Sequence, residues 1–374
     1  MTLRNRLRNL LAPVFGHAPK VRTLLLHVDR QADVWRHSVA RVVPQMIRAD
    51  PQSIFVTLTA ACNLRCVGCN YGREFMRGHS LPWPVVKGLL DDAKKLGIWS
   101  IRLYGGEPLL HPDLLRIVEY SLGLGLKTWI TTNGILLKRQ IDDLYAAGLR
   151  DISLGIYGVE KHYNAYVQRD DSFARMEAGV AYARDRYGMD LNLTTGWLLM
   201  RPTCNLAAVA DVWRFAERYA TPIGVNLIHY SLPYFNEGPE GELQFDHTDR
   251  PEIEKVVAEL IRLKSARPEM VAQSALALRS IPDWLVKKSE MKVPCNKYRL
   301  IWVGADGTVQ MCYVTFNLGN LHEKRLAELL FTPQHQRAAR DAFTLNCPKC
   351  HCGYDSRVES HAPSRRQYSS AEIV

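Results

Sequence analysis

The chain has 374 residues, 47% of them hydrophobic, and a formal net charge of +10 from 48 basic and 38 acidic side chains. So much apolar residue excludes a disordered polymer, and no apolar run approaches the ~20 residues that a bilayer span needs. The surplus positive charge favours anionic partners, but no Lys/Arg block with interleaved aromatics marks a nucleic-acid surface, and DNA is not expected. The opening run MTLRNRLRNLLAPVF lacks a long apolar core followed by a small-residue cleavage site, so a cytoplasmic protein is expected.

Residues 1–50 read as a helical, basic extension. Leu3, Leu7, Leu10 and Leu11 share one helical face with Arg4, Arg6 and Arg8 around it. Such a stretch suits a packing helix or a peripheral membrane contact. From Ser53 the pattern changes to short apolar runs alternating with helical ones. Strands are expected at Ser53–Leu58, Ser100–Tyr104, Lys127–Thr131, Asp151–Ile156, Leu191–Leu199 and Ile223–Ile228. Between them, helices are expected at Pro84–Leu96, Pro112–Leu122, Leu136–Ala147, Ser172–Tyr187 and Leu206–Ala220. Gly97, Gly148 and Gly188 suit helix stops, and Pro84 and Pro112 suit first turns. Repeated βα units imply an α/β fold: a parallel sheet with helices outside, here an open (βα)6 partial barrel over 51–230. By analogy with closed βα barrels, chemistry is expected at the strand C-terminal ends. Residues 231–290 read as a loop, suited to a substrate-contacting lid, then helices at Pro251–Lys264 and Val271–Val286. A cysteine-rich module is expected over 291–360 and a polar tail over 361–374.

Nine cysteines, an odd and clustered set in a large chain, point to metal ligands rather than disulfides. Cys62-x3-Cys66-x2-Cys69 directly follows the first strand. Three thiolates on a four-iron cube leave one iron without a protein ligand, the open position that chemistry at a metal requires. A zinc site with a distant fourth ligand is the alternative. The second strand runs into Gly105-Gly106-Glu107-Pro108, where glycines permit close backbone approach and a carboxylate can accept bonds from an ammonium group. The third runs into Thr131-Thr132-Asn133-Gly134, and the fourth carries Ser153 and Gly155. Further on, Cys295 and Cys312 flank Asp306-Gly307, which reads as a hairpin turn. Cys347-Pro-Lys-Cys350-His-Cys352 follows, suited to a second cluster or, with His351, to a zinc ribbon.

The three-cysteine run, GGEP and TNG together resemble the radical S-adenosylmethionine (SAM) superfamily over about 53–230. Residues 295–352 resemble its SPASM/Twitch extension. The resemblance implies that SAM chelates the free iron through its amino and carboxylate groups. One electron then cleaves it to methionine and a 5′-deoxyadenosyl radical, which abstracts hydrogen from an unactivated C–H bond. It also implies that the main chain at Gly105 and Gly106 meets the SAM amino group with support from Glu107. Asn133 lies in the TNG segment, Ser153 contacts SAM, and Arg169 matches a segment that supplies an arginine to the SAM carboxylate. A flavodoxin or ferredoxin is the implied electron donor. Two positions depart from the family pattern. Gly68 stands before Cys69 where an aromatic residue is common, with Tyr71 nearby, and Tyr163 stands where an aspartate is common in the segment of His162 and Arg169. Setting aside the first three cysteines and the isolated Cys204 leaves too few for two further clusters. One auxiliary four-iron cluster is therefore expected, on Cys295, Cys312, Cys347 and either Cys350 or Cys352.

Cys204, after the fifth strand, is a candidate hydrogen-atom donor or a packing residue. His229 and Tyr230, after the sixth, face either substrate or core, while Trp197 and Met200 read as core. The expected reaction is oxidation, epimerisation or rearrangement of a polar small molecule such as a sugar, nucleoside or natural-product intermediate. The alternatives are a maturase acting on a ribosomal precursor peptide and an enzyme acting on a membrane lipid.

Overall fold

In the computed structural model, which describes residues 31–235, 238, 241–313 and 315–369, the six apolar runs lie side by side as parallel strands. They are β1 Ser53–Thr59, β2 Ser100–Gly105, β3 Lys127–Thr132, β4 Asp151–Ile156, β5 Asn192–Leu199 and β6 Ile223–Leu227. Burial alternates along β3 to β6: in β5, Leu193, Thr195, Trp197 and Leu199 are buried and their neighbours are not, whereas β1 is buried continuously from Val56 to Thr59. The buried set packs under the crossover helices α1 Trp83–Leu96, α2 Leu114–Gly123, α3 Leu137–Ala146, α5 Ser172–Tyr187 and α6 Leu206–Tyr219. The other set, including Phe55, Arg102, Tyr104, Thr131, Ser153 and Gly196, faces a cavity. Helix ends follow local chemistry. Gly97 closes α1 in the left-handed region at φ 75°, and the Asn205 side chain caps α6 by accepting from Ala208 N at 2.9 Å.

The strand order is β6-β5-β4-β3-β2-β1-β7-β8-β9, so the sheet has two edges and does not close. Its last three strands are β7 Leu300–Val303, β8 Thr308–Gln310 and β9 Asn317–Asn320. The hairpin at Asp306-Gly307 forms, with Trp302 opposite Gln310. The cysteine-rich segment is not a detached module, because β7 pairs in parallel with β1, Ser53 against Leu300 through Val56 against Val303.

Several expectations change. Helix α4 Lys161–Val167 was not anticipated, nor was the single wide turn Tyr71–Phe75. After α7 Arg250–Ala266, the helix expected at Val271–Val286 is two, α8 Ala275–Arg279 and α9 Ile281–Lys287. Pro282 has no N–H to continue a helical ladder, so a new helix starts there. Beyond α10 Leu326–Leu329, α11 Pro333–Phe343 and α12 Tyr354–Ser360, the segment read as a polar tail forms α13 Ala362–Ser369. Its Tyr368 is buried and donates to Asp283 at 2.8 Å. The leucine-arginine face of residues 3–11 lies outside the described residues. No helix among the described residues is long and apolar enough to cross a membrane.

Residues 31–40 are helical and are tied to the sheet by one ion pair. Arg299, just before β7, donates through both terminal nitrogens to the Asp33 carboxylate at 2.7 Å each. Removing one partner of a largely buried pair strands the other. Arg299→Ala is expected to lower unfolding free energy by about 3 kcal/mol in a urea titration, against under ~0.5 kcal/mol for the exposed Arg214→Ala.

Candidate active site

The first cysteine loop is held where the ends of β1 and β2 touch. Gly106 N donates to Thr59 O and Glu107 N to Ala61 O, both at 2.8 Å. A Cβ on Gly106 would lie 2.3 Å from Ala61 O, and Gly105 has φ +147°, so no other residue type fits this contact. Cys62, Cys66 and Cys69 then line one cavity. Arg73 donates to the carbonyls of Cys66 and Cys69, closing the loop. Desolvation by the surrounding protein pushes the Cys62 thiol up to about 12, and burial with the charges of Cys69 and Cys62 pushes Cys66 well above the usual thiol range. Three thiols so close together, with Cys62 open to the cavity and Cys66 and Cys69 half-buried, resist ionising unaided. A bound iron–sulfur cluster supplies the positive charge that holds them as thiolates, so the donor set fits one.

Glu107 is fully buried and does not line the cavity. Its carboxylate accepts from Thr132 Oγ1 at 2.7 Å, Asn133 N at 2.8 Å and Leu109 N at 3.0 Å. Burial pushes it up to about 7 against the pull of these donors. These bonds tie the TNG turn to the end of β2. Asn133 does line the cavity and donates to Asn63 Oδ1 at 2.8 Å, linking that turn to the cysteine loop.

The cavity measures about 930 Å³ and brings together Cys62, Cys66, Cys69, Gly105, Gly106, Asn133, Ser153 and His229. Besides Glu107, the expected residues Arg169, Cys204 and Tyr230 lie outside it. Arg169 is on the surface, paired with Asp171 at 2.7 Å. Cys204 is buried in the core, and burial pushes its thiol up to about 12. Tyr230 does not line the cavity, although its ring packs 5.3 Å from that of His351. Gly68 has a physical explanation: a Cβ there would meet Phe235 at 2.7 Å and the Tyr166 hydroxyl at 2.8 Å. The aromatic surface usual beside the third cysteine is supplied from α4 and from the loop after β6 instead. Sequence reading also missed Arg102. An arginine on the unburied period of a strand otherwise covered on both faces was the available signal.

The second cysteine group reaches the same cavity through Cys352, His351 and Gly353. Cys352 Sγ lies 3.6 Å from His229 Nε2, and burial lowers the His229 ring to about 4, leaving it neutral. Cys350 carries charge that acts on Cys295, Cys347 and Cys352, and Cys312 acts on Cys352, although among the described residues no three metal-binding side chains are gathered into a ready-made cage. All nine cysteines are free thiols. The donor chemistry suits a second cluster.

Glu107→Ala leaves two main-chain amides and one hydroxyl without an acceptor in the interior. It is expected to destabilise the chain by about 2–4 kcal/mol, read by urea unfolding. An effect below ~1 kcal/mol would mean that the turn is held by other contacts.

Residues 56–202 match the family model of the radical SAM superfamily, and residues 295–353 that of the SPASM iron-sulfur cluster-binding domain. A protein named probable GTP 3′,8-cyclase from Saccharolobus solfataricus is 30% identical over 268 residues, covering 70% of this chain and 82% of that one. The GTP 3′,8-cyclase of Chlorobaculum tepidum is 35% identical over 124 residues, 32% of this chain and 37% of that one. Among solved structures, Streptococcus suis SuiB bound to precursor peptide SuiA superposes with a TM-score of 0.60 at 17% identity, over 87% of this chain and 75% of that one. The structure of anSMEcpe with bound AdoMet gives 0.61 at 17%, over 85% and 95%. At such identity these two show the fold alone. The matched motifs, the cysteine loop beside the GGEP turn and the length of the cyclase match together establish that the chain belongs to the radical SAM superfamily, with a C-terminal SPASM iron–sulfur extension.

Proposed function

We propose that this radical SAM enzyme acts on a small polar substrate carrying an anionic group, of nucleotide type. In this reading Cys62, Cys66 and Cys69 ligate the SAM-binding cluster. The main chain at Gly105 and Gly106, with Asn133 and Ser153, holds the polar groups of SAM. Bound there, SAM supplies the 5′-deoxyadenosyl radical that abstracts a substrate hydrogen. Glu107 keeps the TNG turn in register. Cys295, Cys312, Cys347 and Cys350 hold the auxiliary cluster. Cys352, unlike those four, lines the cavity and lies beside His229.

Arg102 carries the substrate reading. It projects from β2 into the cavity, and no carboxylate among the described residues pairs with it. Its Nε donates to Thr131 Oγ1 at 2.8 Å, and its guanidinium lies 5.0 Å from the Phe55 ring and 4.8 Å from the Tyr104 ring. A held, unpaired guanidinium suits a carboxylate or phosphate, and the rings around it suit a planar base. The cavity volume lies within the ~300–1,000 Å³ range of small-molecule sites. The names of the cyclase relatives agree with a nucleotide. A wall formed partly by Cys352 and His351 also puts substrate between the two cysteine groups, as suits a reaction that moves an electron after hydrogen abstraction.

The test is turnover by the anaerobically reconstituted enzyme with SAM, dithionite and GTP, beside a sugar phosphate and an uncharged nucleoside. Faster 5′-deoxyadenosine formation is expected with the phosphorylated compounds. Arg102→Met is expected to lower kcat/KM for them roughly 10- to 100-fold, the worth of one charge-assisted hydrogen bond. Equal stimulation by the uncharged nucleoside, or an Arg102→Met enzyme with unchanged kcat/KM, would contradict the anionic reading.

A further inference from the structure

Arg357, on α12, is only 2% exposed. Arginine is almost never so buried unless paired. Yet among the described residues every hydrogen bond it makes goes to a main-chain carbonyl: Nη1 to Cys350 O at 2.6 Å, Nη2 to Val293 O at 2.5 Å and Nε to Pro294 O at 3.3 Å. Its guanidinium lies 4.6 Å from the ring of Trp284, itself fully buried. No carboxylate among the described residues forms an ion pair with it. By contrast, the half-buried Arg299 pairs with Asp33. A lone cation in the interior is costly, and carbonyl dipoles and one ring compensate only in part.

What surrounds Arg357 is the second cysteine group. The carbonyls it binds belong to Cys350 and to the two residues before Cys295. Its charge is near enough to act on Cys295, Cys347 and Cys350. One planar fork thus fastens two sequence-distant cysteine segments together and leaves its charge among their thiolates.

We propose that Arg357 is the positioning residue and buried counter-cation of the auxiliary cluster, clamping the Cys295 and Cys350 segments and raising the cluster's reduction potential. Four thiolates give a ligated four-iron cluster net negative charge, and each added electron makes it more negative. A fixed neighbouring cation stabilises the reduced form more than the oxidised form. The enzyme thereby holds a better electron acceptor beside its substrate cavity. This inference rests on the ligand assignment proposed above.

The experiment is an EPR redox titration of the full-length reconstituted enzyme with both clusters, alongside iron and sulfide counts. The auxiliary signal is identified as the one that SAM does not perturb. Wild type is compared with Arg357→Lys, which keeps charge without the fork, and Arg357→Met, which keeps neither. In Arg357→Met the reduced-to-oxidised ratio of the auxiliary cluster at fixed potential is expected to fall about tenfold or more, a shift of ~59 mV downward for a one-electron couple. Arg357→Lys is expected to stay near the wild-type potential but to bind less iron. If Arg357→Met does not yield folded protein, Arg357→Lys decides: full iron with a lowered potential would overturn the proposal. Eight irons with an unmoved potential in Arg357→Met would overturn the counter-cation role alone. Four irons in the wild type would overturn the ligand assignment and this role together.

Discussion

The site depends on the close approach of two backbone segments at the ends of β1 and β2. The carbonyls of Thr59 and Ala61 accept from the amides of Gly106 and Glu107. A Cβ on Gly106 would meet oxygens of both Ala60 and Ala61 inside 3 Å. This contact sets the first cysteine loop against the GGEP turn, and the buried Glu107 carboxylate extends the same rigid unit to the end of β3. Three strand ends are therefore locked in one layer before any ligand arrives. That is the preorganisation that holding a reactive intermediate requires, because the groups around it must not need to move.

The second constraint is the pairing of β7 with β1. It makes the cysteine-rich extension part of the core sheet and turns Cys352 and His351 toward the cavity of the first cysteine loop. Substrate chemistry and the second cysteine group share one wall, and a change in either is felt by the other through a few side chains. Arg299, Arg325 and Arg357 fix that extension at three places. Arg299 binds Asp33, Arg325 binds the buried Asp92 of α1, and Arg357 binds the cysteine segments themselves.

The strands and most helices were legible because their signals are local. Alternating or continuous apolar runs ending in glycine specify a parallel βα unit, and the observed spans of β4 and α5 match the expected ones to the residue. The cysteine runs and GGEP were legible because the chemistry restricts those positions to single residue types. What could not be read depended on contacts between distant segments. Gly68 is glycine because Phe235 and Tyr166 fill its space, and neither is near it in sequence. The break at Pro282 is visible in the sequence, because a proline cannot continue a helical ladder, whereas α13 is stabilised by the contact of Tyr368 with Asp283. Motif position points to Arg169, and the capacity of a thiol to donate a hydrogen atom points to Cys204. The structure gives one a surface aspartate and the other an apolar core.

The central claim is that the chain carries two clusters, one of them open to SAM. The most direct measurement is iron and sulfide content after anaerobic reconstitution, followed by 5′-deoxyadenosine formation with SAM and dithionite, in wild type and Cys66→Ala. The account predicts about eight irons per chain, four for each cubane, with 5′-deoxyadenosine produced by wild type and absent in Cys66→Ala, which retains about four. Zinc in place of iron, or SAM cleavage that survives Cys66→Ala, would contradict it.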